Sequence, residues 1–381
     1  MNEGCNDAGS RFRNDSPAHP IRRLEIMYVP KLKQSLGRLT LAAMVSIWIS
    51  VGVGPAQAQQ PDGSPQSAQP TQARQRPQPG QVQRGPNGQF TLRASVSEVV
   101  LYATVVDKQE HLVTNLQKQD FTVYEDNVPQ VISSFRQEDV PVSLAILVDN
   151  SGSMSDKRAA VNRAAIDLVR ASNAQDESFI VNFSDEAFLD QDFTSNIGLL
   201  EKGLSHIDSK GGTALYDAVV AAADHLSKNA KHAKQVILII TDGEDNSSST
   251  TLAETVRRVQ QLQGPIVYSI GLLYNNRDGR EAHRARKDLQ TLSDQTGGIA
   301  FFPKSLDQVD SIAAEVARDI REQYIIGYHP SRPISQGGYR TIRVVAKAKG
   351  YGKLTVRTRA GYFAQQPAHS GAGSPAGNAV H

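Results

Sequence analysis

Residues 142–320 alternate short apolar runs with longer stretches of helical period, and this alternation most restricts the possible fold. The apolar runs are rich in Val, Ile and Leu and have the length of buried strands. Strands that alternate with helices are typical of an open, mostly parallel sheet that carries helices on both faces. We therefore predict an α/β fold with a doubly wound, Rossmann-like sheet in this part of the chain.

The pattern also gives bounds for the individual elements. Strands are predicted at 142–148, 178–183, 235–241, 266–271 and 299–302, with a short edge strand at 191–194. Helices are predicted at 156–172, 197–205, 214–228, 251–262, 281–296 and 306–320. The first helix carries alanines and larger apolar residues at helical spacing directly after the first strand.

Three polar motifs follow predicted strands or precede predicted helices. Asp149, Ser151 and Ser153 come directly after the first apolar run, and Thr213 lies in a glycine-flanked loop before a helix. Asp242 comes at the end of another apolar run. In an open α/β sheet, ligands bind in the crevice beyond the carboxyl ends of the strands. We expect these five side chains to meet in that crevice.

The five side chains offer only hard oxygen ligands, which suit Mg²⁺ or Mn²⁺ better than zinc or copper. Each motif alone is weak evidence, because an acid or hydroxyl after a strand is also a common helix cap. Their occurrence in order, each at an element boundary, predicts one metal site. The metal ligands are thus expected to be Asp149, Ser151, Ser153, Thr213 and Asp242.

This set resembles the metal-ion-dependent adhesion site (MIDAS) of von Willebrand factor A (VWA) domains, over about residues 141–329. The resemblance implies that the hydroxyls bind the metal directly and that the two acids act largely through water. It further implies an open coordination position that accepts a carboxylate from a partner protein. The flanking segments 116–126, 324–328 and 360–363 are similar to the bacterial secreted VWFA-related family, which extends the resemblance to about 95–364.

Two β-rich segments, 91–140 and 330–364, flank the predicted α/β domain at 141–329. Within and beside them, runs of β-forming residues occur at 98–107, 121–124, 131–135, 322–328, 341–347 and 354–358, separated by turn residues. Neither side offers enough strands for a domain alone. We expect the two segments to form a small β-sandwich into which the α/β domain is inserted; the alternative is two separate β appendages.

The N-terminal region predicts export. A basic stretch precedes the apolar residues 39–53, and Ala56-Gln57-Ala58 is a small-x-small cleavage site. Residues 1–58 are therefore expected to be a leader, with Met27 as the more ordinary start, and an uncleaved membrane anchor is the alternative. Residues 59–90 are rich in Gln and Pro and are expected to form a disordered linker, and 365–381 a disordered tail. A periplasmic or secreted location follows.

Composition and motifs argue against several classes of function. The formal net charge of +2 gives no basic field for nucleic acid, and the single cysteine, Cys5, lies in the leader, which excludes disulfides and thiolate catalysis in the mature chain. No serine-hydrolase elbow, Walker loop or dinucleotide fingerprint occurs at the strand ends. We predict a binding module and not an enzyme. Its partner is expected to be an unidentified protein that offers an acidic side chain. A scaffold stabilised by the metal and a metal-dependent hydrolase are the alternatives.

Overall fold

A computed structural model describes residues 98–205, 209–275 and 279–364 and the backbone of three short strands nearer the N-terminus. The strands are β1 (Arg22–Arg23), β2 (Val82–Arg84), β3 (Phe90–Leu92), β4 (Val99–Val106), β5 (Phe121–Glu125), β6 (Val128–Gln130), β7 (Ile132–Gln137), β8 (Val142–Asp149), β9 (Glu177–Phe183), β10 (Ala187–Thr194), β11 (Lys234–Thr241), β12 (Ile266–Gly271), β13 (Ala300–Phe301), β14 (Tyr324–Tyr328), β15 (Tyr339–Ala346), β16 (Thr355–Arg357) and β17 (Gly361–Phe363). The helices are α1 (Arg158–Arg170), α2 (Ile197–Leu204), α3 (Leu215–Asn229), α4 (Leu252–Gln261), α5 (Gly279–Thr296) and α6 (Val309–Arg321).

The chain divides into two units. One consists of Met1–Ile26 and Ser97–His381, and the other of Met27–Val96. In the second unit, β2 and β3 pair antiparallel, with Val82 opposite Leu92. All other elements belong to the first unit.

A seven-stranded sheet forms the centre of the first unit, in the order β1-β10-β9-β8-β11-β12-β13. Strands β9, β8, β11, β12 and β13 run parallel. At one edge, β10 pairs antiparallel with β9, and β1 pairs antiparallel with β10. Helices α1, α2 and α6 pack on one face, and α3, α4 and α5 pack on the other. The predicted doubly wound α/β fold is confirmed.

The strand β8 shows why the apolar runs are uninterrupted. Leu144, Ile146 and Val148 contact the core on the α1 side, whereas Ala145 and Leu147 contact the core on the α3 side. A strand covered on both faces buries every residue, so it cannot alternate apolar and polar side chains. In β8 and its partner β11, polar residues therefore collect where the strands end.

Two four-stranded antiparallel sheets form a second layer, in the orders β16-β4-β14-β7 and β17-β15-β5-β6. Each sheet combines strands from before and after the α/β domain. Side chains of both sheets, such as Leu101 of the first and Val123 of the second, share one core. The predicted packing of the two flanking segments into a sandwich is confirmed, and two separate appendages are excluded.

Several element bounds differ from the predicted ones. The strand β14 pairs with β4 and β7 and so lies in the sandwich, although the interval 141–329 assigned it to the α/β domain. The edge strand β10 begins at Ala187 rather than 191, because it continues past a register shift that breaks its pattern. The short edge strands β6 and β17 escaped prediction; β6 contains Pro129, which normally argues against a strand.

Most of the predicted leader (1–58), linker (59–90) and tail (365–381) lies outside the described residues. Three parts of these segments are described. Strand β1 pairs with β10, and strand β2 pairs with β3, whose first residue is Phe90. The strand β2 lies inside the segment that was expected to be disordered. No helix of the described residues is long and apolar enough to cross a membrane.

A buried ion pair lies within one sheet of the sandwich, and a hydrogen bond from Tyr328 of β14 links it to the other sheet. Arg340 of β15 is 0 % exposed and its Nη1 donates to Oε1 of Glu125 in β5 at 2.9 Å. The other carboxylate oxygen accepts hydrogen bonds from the hydroxyls of Tyr328 (2.7 Å) and Tyr362 (3.0 Å). Burial of a charge is costly unless the charge is paired and hydrogen-bonded, and here both oxygens of the carboxylate have partners.

A second buried cluster attaches the α/β domain to the sandwich. Asp319 of α6 accepts a hydrogen bond from the hydroxyl of Tyr268 at 2.7 Å and another from Thr104 of β4 at 3.3 Å. Its other oxygen accepts from Nη2 of Arg357 in β16 at 3.0 Å. Because these partners come from both layers, the cluster fixes the orientation of one layer against the other.

Candidate metal centre

Asp149 lies at the carboxyl end of β8 and is 0 % exposed. Its Oδ1 accepts a hydrogen bond from the backbone N–H of Ser151 at 2.8 Å, which turns the loop back over the strand end. Its Oδ2 accepts from the hydroxyl of Thr241, the last residue of β11, at 2.5 Å. The carboxylate therefore connects the ends of two neighbouring parallel strands.

The two serines of the loop lie between Asp149 and the end of β11. The hydroxyl oxygens of Ser151 and Ser153 are 3.2 Å apart, and the hydroxyl of Ser153 donates to Oδ1 of Asp242 at 2.8 Å. Ser151 and Asp242 are buried, whereas Ser153 is exposed. The cluster is thus enclosed on the sheet side and opens to solvent at Ser153.

Thr213 is brought to the same place by its glycine-flanked loop. Gly211 has φ +79°, a backbone conformation that favours glycine. At Gly212, a Cβ atom would lie 2.2 Å from the Ser247 hydroxyl oxygen, so a side chain does not fit there. The backbone N–H of Thr213 donates to the side chain of Asn246 at 2.8 Å. Its hydroxyl oxygen lies 3.6 Å from the position of a Cβ on Gly243, the residue after Asp242. The structure therefore brings all five predicted side chains together at one end of the sheet.

Lys157 is a neighbour of the site that the sequence reasoning missed. Its ammonium group donates to Oδ2 of Asp242 and to the backbone carbonyl of Ser153, the latter at 2.9 Å. Lys157 follows Ser153 by four residues, so one turn of chain carries it back over the loop. A lysine at this spacing could have been noticed in the sequence, but its direction depends on the loop conformation.

The other missed residues hold the loops in place. Asp185 accepts a hydrogen bond from the backbone N–H of Gly212 at 2.7 Å, and Asn246 exchanges hydrogen bonds with the backbone of Thr213. Asp217, in the first turn of α3, accepts from the backbone and hydroxyl groups of Ser249 and Thr250. Burial would raise the pKa of Asp217, but these hydrogen bonds lower it. It therefore stays charged and orders the loop after Asp242.

The electrostatics of the site favour a bound cation. Burial, with a smaller contribution from the nearby Asp242 carboxylate, raises the pKa of Asp149 to about 6, although the hydrogen bonds from Thr241 and Ser151 lower it. Two acids in a buried site repel each other unless a positive charge lies between or beside them. The ammonium group of Lys157 supplies one such charge next to Asp242.

The ligands present fit a hard divalent ion. Two carboxylates and three hydroxyls are oxygen donors of the kind that Mg²⁺ binds. The ammonium group of Lys157 already places one positive charge in contact with Asp242. No group of three or more His, Cys, Asp or Glu side chains is arranged for a metal in the described ranges. Three of the five candidate donors are hydroxyl groups, so the site does not depend on such a group.

Residues 144–244 match the sequence profile of the von Willebrand factor type A domain. No curated protein matches the chain. Among solved structures, one similar protein is a von Willebrand factor type A from Catenulispora acidiphila, with 15% identity, a TM-score of 0.41 and coverage of 65% of this chain and 75% of the other.

Two further structures are similar at the same level. Proximal thread matrix protein 1 of the mussel byssus, solved with a zinc-occupied MIDAS motif, has 14% identity, a TM-score of 0.39 and coverage of 50% of this chain and 48% of the other. The vWF domain of the type V pili tip protein Mfa5 from Porphyromonas gingivalis has 12% identity, a TM-score of 0.39 and coverage of 48% and 95%.

Proposed function

Because the chain carries a von Willebrand factor type A domain, matched over residues 144–244, we propose that the protein is an exported, metal-dependent binding module. A Mg²⁺ or Mn²⁺ ion would be held by Asp149, Ser151, Ser153, Thr213 and Asp242, and would capture an acidic side chain of a partner protein. The main support is that these side chains lie together at the carboxyl ends of the parallel strands, where the exposed Ser153 borders solvent.

The ligand chemistry explains why such a site suits binding. Hydroxyl ligands carry no formal charge, so an ion that they hold remains electrophilic toward an incoming carboxylate. The acids lie deeper, where Asp149 is committed to hydrogen bonds from Ser151 and Thr241. Mg²⁺ keeps several waters when proteins bind it, and a partner carboxylate can replace one on the solvent side.

The proposal does not include catalysis, and a structural role is the second candidate. It is favoured by the position of Asp149, whose hydrogen bonds tie β8 to β11 whether or not a partner binds. In that case the metal would stabilise the fold, and partner capture would not depend on it. The two candidates differ in whether chelation releases a bound partner.

Capture of a partner from envelope extract should require the metal. Immobilised wild-type protein is expected to retain a partner in Mg²⁺ and release it in EDTA, and Ser153→Ala should fail to retain it, since the exposed hydroxyl borders the open side. Thr122→Ala removes an exposed hydroxyl from the sandwich and should capture normally. A partner that remains bound in EDTA and binds Ser153→Ala equally well would refute the metal bridge and favour the scaffold.

Replacement of Lys157 by Met should tighten metal binding. An incoming ion must displace the ammonium group from Asp242, and a charge-assisted hydrogen bond contributes about 1.5–3 kcal/mol. We therefore expect Mg²⁺ affinity to rise by about tenfold or more in Lys157→Met. Isothermal titration calorimetry measures this directly, with Lys347→Met, an exposed lysine of the sandwich, as the control. Unchanged or weaker affinity would show that the lysine does not compete with the ion.

Export is a separate part of the proposal. The apolar stretch 39–53 and the Ala-Gln-Ala sequence at 56–58 support cleavage that leaves Gln59 as the first residue. N-terminal sequencing of protein recovered from the cell envelope or medium should therefore begin near Gln59. Mature protein that retains residues 39–58 would instead indicate a membrane anchor.

A further inference from the structure

A cavity of about 420 Å³ lies between the α/β domain and the sandwich. Its walls include Val100 and Tyr102 of β4 on the sandwich side and Gln235 and Ile266, near the start of β11 and at the start of β12, on the other. Because the candidate metal centre is at the opposite ends of the parallel strands, about 20 Å of strand separates the two places. The cavity has the volume of an ordinary small-molecule site.

Arg359 lines this cavity and has no acidic partner within ion-pair distance among the described residues. Its Nη2 donates to the carbonyl of Val100 at 2.7 Å, and its guanidinium lies 5.6 Å from the ring of Tyr362. Its Nε is buried and has no hydrogen-bond partner. Arg359 itself is partly buried, and two nearby arginines of this layer differ from it, since Arg340 pairs with Glu125 and Arg357 with Asp319.

An arginine in this setting is costly to the fold. Burial lowers the pKa of Arg359, which reflects the loss of water around its charge. A buried charge without a counter-ion is expensive and is normally paired. Arginine binds carboxylate and phosphate groups through two parallel N–H donors. An anion in the cavity would therefore supply the missing partner.

The remaining charged groups near the cavity leave an excess of positive charge. Arg136 also lines it, and among the described residues it pairs with the exposed Glu138 at 3.1 Å, a weak surface contact. Among the described residues that line the cavity, one acid, Glu98, opposes the two arginines. Glu98 accepts hydrogen bonds from two serine hydroxyls, which lower its pKa and keep it ionised.

We propose that this cavity is a second binding site, specific for a small organic or inorganic anion with a carboxylate or phosphate group. Arg359 forms the paired contact to the anion, and Arg136 adds positive charge at the wall. Since the lining comes from both layers, a bound anion also strengthens the junction between them. The site is independent of the metal centre and of partner capture.

The test uses the full mature protein with citrate and inorganic phosphate as probes. Calorimetry should detect binding of at least one of them at millimolar concentration, together with a higher melting temperature. Arg359→Gln should weaken that binding by about tenfold or more. Arg318→Gln changes an exposed arginine of α6 and should bind like wild type. Thr213→Ala, which affects the metal centre, should also leave anion affinity unchanged.

A second variant covers the case in which Arg359→Gln does not fold. Arg136 is exposed, so Arg136→Gln should fold normally and weaken anion binding to a smaller extent. Binding of citrate or phosphate that depends on either arginine supports the site. No binding of either probe to the wild type, or binding that both arginine variants leave unchanged, would overturn the proposal.

Discussion

Thr213→Ala should reduce Mg²⁺ affinity about a hundredfold and should cancel most of the stabilisation that the metal gives. Wild-type protein at a Mg²⁺ concentration of a hundred times Kd should gain about 2.7 kcal/mol in the free energy of unfolding. The variant should gain close to nothing at the same concentration. The reason is that Thr213 would supply one of the three hydroxyl ligands of the proposed site from a loop that hydrogen bonds to Asn246 and Asp185 hold in place.

Thr213 is a sharper test of the site than Asp149. The carboxylate of Asp149 also accepts hydrogen bonds from Ser151 and Thr241, so its removal would disturb the ends of β8 and β11 as well as the ion. The fold of Thr213→Ala can be checked by circular dichroism and by its melting temperature in EDTA. With Thr122→Ala as the matched control, wild-type Mg²⁺ affinity in Thr213→Ala would remove this residue from the ligand set.

Arg340→Met should lower the free energy of unfolding by about 3–5 kcal/mol. The substitution leaves the Glu125 carboxylate buried with two tyrosine hydroxyls but without its counter-ion. The effect should be large because the cluster joins both sheets of the sandwich, whose core is small. Urea denaturation of metal-free protein measures it, so that the result is independent of the metal centre.

Two further variants separate the lost ion pair from lost packing. The double variant Glu125→Gln with Arg340→Met should recover part of the stability, since it removes the uncompensated charge. Arg343→Met, an exposed arginine of the same strand that lies over the ring of Tyr124, should cost less than about 1 kcal/mol. A cost below about 1 kcal/mol for Arg340→Met itself would mean that the buried pair contributes little.

The α/β domain could be predicted closely because its signals are local. Buried strands such as β8 and β11 are continuous apolar runs, and the helices between them keep a clear period. The site residues could be predicted for a related reason, since a parallel sheet collects the residues that follow its strands at one edge. Asp149 and Asp242 had to be neighbours once β8 and β11 were neighbours.

The features that escaped prediction depend on contacts between distant parts of the chain. The direction of Lys157 follows from the loop geometry, and the hydrogen bond from Gly212 to Asp185 joins two loops that only the folded sheet brings together. The cavity between the α/β domain and the sandwich is likewise lined by residues as far apart in the sequence as Tyr102 and Arg359. The short strands β6 and β17 exist because long neighbours offer them hydrogen bonds, which no local pattern encodes.

Five side chains from three loops are proposed to bind one divalent ion, and anomalous diffraction from crystals soaked in Mn²⁺ tests this most directly. We expect one strong peak in contact with the hydroxyl oxygens of Ser151, Ser153 and Thr213 and beside the carboxylates of Asp149 and Asp242. The ammonium group of Lys157 should have moved away from Asp242. A peak elsewhere, or none at these residues under saturating Mn²⁺, would contradict the proposal.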